Sequence, residues 1–92
     1  MKDFLPIGSV ITLKGGTKRV MICGRLQFKA DDEKTVYDYS ACYFPEGYIG
    51  PQEMFLFNNE DIDMVYFLGL QDVEEFKFRD YMNQQIEANQ SE

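Results

Sequence analysis

The sequence predicts an α+β domain: a small, strongly curved antiparallel sheet or SH3-like barrel of about five strands, with a C-terminal helix. Three observations carry this expectation. Short runs rich in β-branched and aromatic residues, among them Val10-Ile-Thr-Leu13, Val20-Met-Ile-Cys23 and Met64-Val-Tyr-Phe67, alternate with Gly-, Pro- and Asn-rich breaks. From Asp72 onward Gly and Pro vanish and the apolar spacing lengthens towards the helical period. Finally, 92 residues of which 45% are hydrophobic supply one core and not two, so residues 1–92 form a single domain.

The strands fall within residues 9–68. Pro6 fixes its own φ and holds Leu5 extended, making a short turn that leads into a first strand at Ser9–Lys14. Gly15-Gly16 supplies the positive φ values of a hairpin turn, and a second strand follows over Lys18–Phe28, with Gly24 marking a bulge or bend. Ala30–Lys34 is a polar turn. A third strand over Thr35–Phe44 puts Tyr37, Tyr39, Ala41 and Tyr43 on one face and Val36, Asp38, Ser40 and Cys42 on the other.

Two prolines and two glycines make Pro45–Pro51 a loop, after which Gln52–Asn58 is the fourth strand. Asn58 caps a single turn, and Met64–Leu68 is the last strand, ended by Gly69. The helix spans about residues 72–88. Asp72 and Glu75 have capping-box spacing, acids fill the first turn, and Val73, Phe76, Phe78, Tyr81, Met82 and Ile86 form its apolar side. Residues 89–92 are a fraying tail.

Charge is divided unevenly along the chain. Residues 1–45 hold seven Lys/Arg against five acids, whereas residues 46–92 hold two against eleven, for a net −7. A polyanionic half repels nucleic acid and anionic lipid and favours a basic protein partner. Lys14, Lys18 and Arg19 read as a solubilising hairpin tip. No run of apolar residues is long enough to span a bilayer and no signal-peptide order is present, which predicts a cytoplasmic protein without membrane insertion.

Reactive chemistry finds little support. Histidine is absent, which removes the commonest general base and transition-metal ligand. Cys23 and Cys42 sit in apolar runs without Cys-x-x-Cys spacing and read as buried thiols. Asp31-Asp-Glu33 and Glu60-Asp-x-Asp63 lack EF-hand spacing and read as solvated turns. The expectation is a non-enzyme with no catalytic residue, metal or cofactor.

Eight Phe and six Tyr instead point to contact by aromatic surface. The candidate partner-binding residues are Tyr39 and Tyr43 on the third strand and Phe44, Glu46, Tyr48 and Ile49 in the loop after it, because loops carrying aromatics on a rigid scaffold concentrate recognition.

One resemblance sharpens the expectation. Leu5-Pro-Ile-Gly-Ser-Val-Ile-Thr-Leu-Lys-Gly-Gly16, Val20-Met-Ile-Cys-Gly-Arg-Leu-Gln27, Tyr37-Asp-Tyr39, Tyr43-Phe-Pro-Glu-Gly-Tyr-Ile-Gly50 and Phe57-Asn-Asn-Glu-Asp-Ile-Asp-Met-Val-Tyr-Phe67 occur in an order that resembles the DUF4176 domain-of-unknown-function family of Gram-positive bacteria. The resemblance implies a role beside type VII secretion clusters and their LXG-type toxins: an accessory chaperone or targeting adaptor that binds the toxin or its helical accessory proteins. An immunity protein that neutralises a toxin is the alternative reading, and an RNA-binding small barrel is suggested by fold analogy alone. The oligomeric state is left open.

Overall fold

The protein is described from a computed structural model over residues 2–29 and 31–90. The chain forms β1 (Val10–Leu13), β2 (Val20–Lys29), β3 (Asp32–Tyr43), a 3-10 turn (Pro51–Glu53), β4 (Phe55–Phe57), a second 3-10 turn (Asn59–Asp61), β5 (Ile62–Phe67) and α1 (Val73–Gln90). The strands make one antiparallel sheet in the order β4-β3-β2-β1-β5. The expected five strands and C-terminal helix are present, in a sheet that stays open with β4 and β5 at its edges.

The connection from β1 to β2 is longer than a two-residue hairpin. The Gly16 N–H donates to the Leu13 carbonyl at 3.0 Å, and Gly15 holds the φ of 83° that the third position of such a turn requires. β2 starts at Val20 rather than Lys18, because Ile11 pairs with Val20 and the Lys18 and Arg19 side chains reach away to other partners. Gly24 lies at the expected irregularity: the register slips between Ile22 and Gly24, and a Cβ there would meet Ser40 Oγ at 2.5 Å. Leu26 takes a φ of 53° and packs against the core, a conformation costing an L-residue about 1–2 kcal/mol.

Several boundaries differ from the sequence expectation. β3 begins at Asp32 rather than Thr35, since Asp32 already pairs with Lys29 and its carboxylate accepts the Lys34 N–H at 3.1 Å. Ala30 of the expected polar turn lies outside the described residues. Pro51 cannot donate to a ladder, so Pro51–Glu53 curls into a turn, with the Glu53 N–H on the Gly50 carbonyl at 3.1 Å, and β4 is only Phe55–Phe57. The Asn58 turn forms, although the Asn58 Oδ1 accepts from Asp38 N at 2.9 Å while the Asp61 carboxylate accepts from Asn58 N at 2.9 Å. β5 follows that turn directly and ends at Phe67. Of the tail expected to fray, residues 89–90 continue α1 and residues 91–92 lie outside the described residues.

The core is a cluster of Phe4, Ile11, Val20, Ile22, Tyr39, Ala41, Phe57 and Met82. Tyr39 is central: Phe4 meets it edge-on at 6.2 Å and Phe57 lies tilted against it at 5.5 Å between ring centroids. The helix docks differently from the apolar side the sequence suggested. Val73, Phe76, Phe78 and Tyr81 are exposed, and only Met82 is buried and Ile86 partly so. The side facing the protein reads Glu75, Arg79, Met82, Asn83, Ile86, and much of it is polar.

Arg25 on β2 holds Glu75 through its two terminal guanidinium nitrogens, Nη1 and Nη2, at 2.5 and 2.8 Å, and Arg79 Nε reaches the same carboxylate at 2.7 Å. Asn83 spans the Lys2 backbone, accepting its N–H at 2.9 Å and donating to its carbonyl at 3.2 Å.

Hydrogen bonds from Arg25, opposed by burial and aided by Arg79, hold the Glu75 carboxyl below its ordinary pKa. A depressed pKa of this kind stabilises the fold above the unfolded titration range and is lost as pH falls through the folded value. Urea midpoints should therefore drop as pH falls below about 4.3, the pKa of an unperturbed Glu, and the drop should be smaller in Glu75→Gln. Glu75→Ala strands the buried Arg25 and should cost about 3 kcal/mol at neutral pH.

Candidate protein-binding surface

The six candidate contact residues do not share one environment. Tyr39 is fully buried. Its hydroxyl accepts the Leu5 N–H at 2.8 Å and donates to Asn59 Oδ1 at 2.5 Å, and burial pushes the phenol pKa up, keeping that proton in place. Tyr39 therefore belongs to the core and not to a contact surface. Tyr43 is half-buried, edge-on to Phe55 at 5.1 Å. Phe44, also half-buried, lies under the Arg19 guanidinium at 5.4 Å. Glu46 is exposed and bound by Lys18 Nζ at 2.8 and 3.1 Å, which lowers its carboxyl pKa. Only Tyr48 and Ile49 of the six are exposed apolar groups, at 64% and 58%.

The loop after β3 is thus a braced platform. Phe44 N donates to the Arg19 carbonyl at 3.1 Å and Gly47 N to the Tyr43 carbonyl at 2.8 Å. Lys18 and Arg19, expected as a solubilising tip, are instead its struts, and the rings and Glu46 explain why: each cation has a partner across the gap.

Arg19 also connects this platform to a surface the sequence reasoning missed. Its guanidinium lies 5.9 Å from the Tyr66 ring, and a groove of about 370 Å³ is lined by Val10, Arg19, Phe44, Tyr66 and Phe67. Met64, Val65, Tyr66 and Phe67 of β5 are all 45–61% exposed. An uninterrupted apolar run normally signals a strand covered on both faces. At the sheet edge, beside a β1 only four residues long, β5 is covered on neither.

The uncovered surface continues past the strand. A Cβ on Gly69 would sit 1.9 Å from the Ile7 carbonyl oxygen, so only Gly lets the chain cross residues 7–8 here, and Gly69 N donates to Ser9 Oγ at 3.1 Å. This crossing delivers Leu70, 77% exposed, to a second groove with Ile7, Arg25, Glu75 and Phe78. On α1, Phe78 and Tyr81 stack at 6.0 Å, beside the exposed acids Glu74 and Asp80.

The total surface is large for the mass. A compact monomer of 10.8 kDa has about 5,500 Å² of accessible surface; this chain has 6411 Å².

Reactive groups do not converge on any of this surface. Among the described residues, no three His, Cys, Asp or Glu side chains approach closely enough to hold a metal ion. Both cysteines are free; Cys42 is buried but Cys23 is exposed, contrary to expectation, because it occupies the bulge next to Gly24. Desolvation nonetheless raises the Cys23 pKa, which keeps it a thiol at neutral pH. No helix among the described residues is long and apolar enough to cross a membrane.

The chain belongs to the family described as a domain of unknown function, DUF4176, which it matches over residues 4–78. The match takes in all five strands and the first turns of α1. No curated protein and no solved structure matches the chain.

Tyr39→Phe should leave the Leu5 N–H and Asn59 Oδ1 without their buried partner and lower stability by about 1–3 kcal/mol, read from urea unfolding. Tyr48→Ala, at an exposed position, should change stability by less than about 0.5 kcal/mol in the same assay.

Proposed function

We propose that this member of the DUF4176 family is a non-enzymatic protein-interaction module. In its finer form the reading is an accessory chaperone or targeting adaptor for a type VII-secreted, LXG-type toxin, acting in the cytoplasm. The observation that carries the general reading is the amount of large apolar side chain left uncovered: among the described residues, fifteen such residues are at least 45% exposed. Large apolar residues that lie exposed next to one another, as Met64–Leu68 do along the chain, mark a site of association more often than singly scattered ones.

Two features say what kind of protein would fit. The Tyr48–Ile49 loop and the Phe78–Tyr81 pair are rigid aromatic anchors, the residue types that dominate binding energy at interfaces. On α1 the exposed acids Glu74 and Asp80 lie near the Phe78–Tyr81 pair, and residues 46–92 as a whole carry eleven acids and two bases. A partner with an amphipathic, basic segment satisfies both demands: its apolar side meets the rings and its charges speed encounter. The finer reading draws its support from the family resemblance, and the acidic half would equally suit neutralisation of a basic toxin domain.

Co-expression with an LXG-type toxin, followed by co-purification and titration, tests the proposal. The pair should elute together, with affinity falling as salt rises. Tyr48→Ala and Tyr81→Ala should each weaken the complex by about tenfold or more while leaving the thermal midpoint in place. Unchanged affinity in both variants would overturn this surface. Survival of cells producing the toxin, conferred by this protein alone, would favour the neutralising role over the chaperone.

A further inference from the structure

We infer that β5 is where two copies of this chain join, strand to strand and antiparallel, in a two-fold dimer. This goes beyond the partner-binding role above and concerns a different part of the surface from the Tyr48–Ile49 loop and the outer side of α1.

Among the described residues β5 pairs with β1 alone, so its other backbone edge faces outward. Natural edge strands are ordinarily blunted by proline, by lysine or by being very short. β5 has six residues, Ile62-Asp-Met-Val-Tyr-Phe67, without Lys or Pro; its register slips against β1 fall at Asp63 and Tyr66, Ile62 packs on the core, and Met64, Val65, Tyr66 and Phe67 are all at least 45% exposed. Such an edge accepts another strand, which extends the ladder and covers the side chains together.

Charge identifies the strand that fits. Asp63 lies in a bulge, where the register with β1 slips between Thr12 and Leu13, and among the described residues it forms no ion pair. Arg19 forms none either; its guanidinium rests on the rings of Phe44 and Tyr66, beside the far end of the same strand. Antiparallel pairing of β5 with its own copy about Val65 sets Met64 opposite Tyr66 and Asp63 opposite Phe67. Each Asp63 then enters the end of the neighbouring strand that Arg19 occupies, and symmetry makes the contact twice. The two Asp63 carboxylates are carried to opposite ends, away from each other.

The net −7 of each copy opposes association at long range, but solvent ions screen it beyond about 8 Å at physiological salt, whereas Arg19 and Asp63 meet at contact.

Sedimentation velocity and light scattering on the purified full chain, over a dilution series, test the inference. The expected mass is twice the 10.8 kDa of one chain, dissociating on dilution. Phe67→Glu, at a 61% exposed position, should give a folded monomer by circular dichroism. Arg19→Asp and Asp63→Arg should each raise the dimer dissociation constant by about tenfold or more, and the double variant Arg19→Asp/Asp63→Arg should regain most of the loss. A wild-type chain that stays monomeric, or assembles into open-ended aggregates, overturns the dimer. So does a charge-reversed double variant no tighter than the single ones. Toxin binding by a monomeric wild type would refute the dimer and leave the partner-binding role intact.

Discussion

The fold depends on how two adjacent residues of β3, Asp38 and Tyr39, hold the amino-terminal segment. The Asp38 carboxylate is buried and accepts from Lys2 Nζ at 2.7 Å and from the Asn59 N–H at 2.9 Å, while the Tyr39 hydroxyl bridges Leu5 and Asn59. Each bond contributes only about 1 kcal/mol net, but leaving any of these groups buried and unpaired costs more. Residues 2–5 thereby become a fixed surface on which Asn83 can dock through two further bonds. Removing the hydroxyl or the carboxylate would loosen the turn before β5 and the seat of α1 together, because both attach through the same two side chains.

With the helix anchored by ion pairs and an amide bridge, few apolar groups are needed to keep it in place. Met82 and Ile86 suffice on the inner side, so the helix's rings face outward without loss of docking. The same division appears in the sheet. β2 and β3 share the long central pairing and bury their side chains around Tyr39, while β5 contributes little to the core and offers its side chains elsewhere. The aromatic residues thus divide into a buried set around Tyr39 and an exposed set, and a substitution on the outer set leaves the inner set untouched.

Much of the strand pattern was legible because it is written in local chemistry. Gly15 marks its turn, Gly24 its irregularity, Pro51 the interruption before β4, and Asp72 the start of α1, where its carboxylate accepts the Glu75 N–H at 2.9 Å. The inward side of α1 was not legible. Glu75, Arg79 and Asn83 look like solvent-facing residues, and their partners Arg25 and Lys2 lie 50 and 81 residues away in the chain. Tyr39 was misplaced for the same reason, since a tyrosine is buried or exposed according to whether its hydroxyl finds distant partners, here Leu5 and Asn59. β5 was recognised as a strand, but nothing in its own residues says that it lies at the rim of the sheet.

The bridge between Lys2 and Asn83 also bears on the order in which the chain folds. Residues 2–5 have no regular structure of their own; Leu5 and the Lys2 side chain find partners on β2 and β3, but the Lys2 backbone gains Asn83 only once α1 is in place. Closing a contact over 81 positions is entropically more demanding than pairing β2 with β3, whose residues are near neighbours in the chain. The amino terminus is therefore the latch of the folding reaction rather than its nucleus. Substitutions at Asn83 would accelerate unfolding and leave the refolding rate nearly unchanged, and a refolding rate that fell in step with stability would place the latch in the transition state instead.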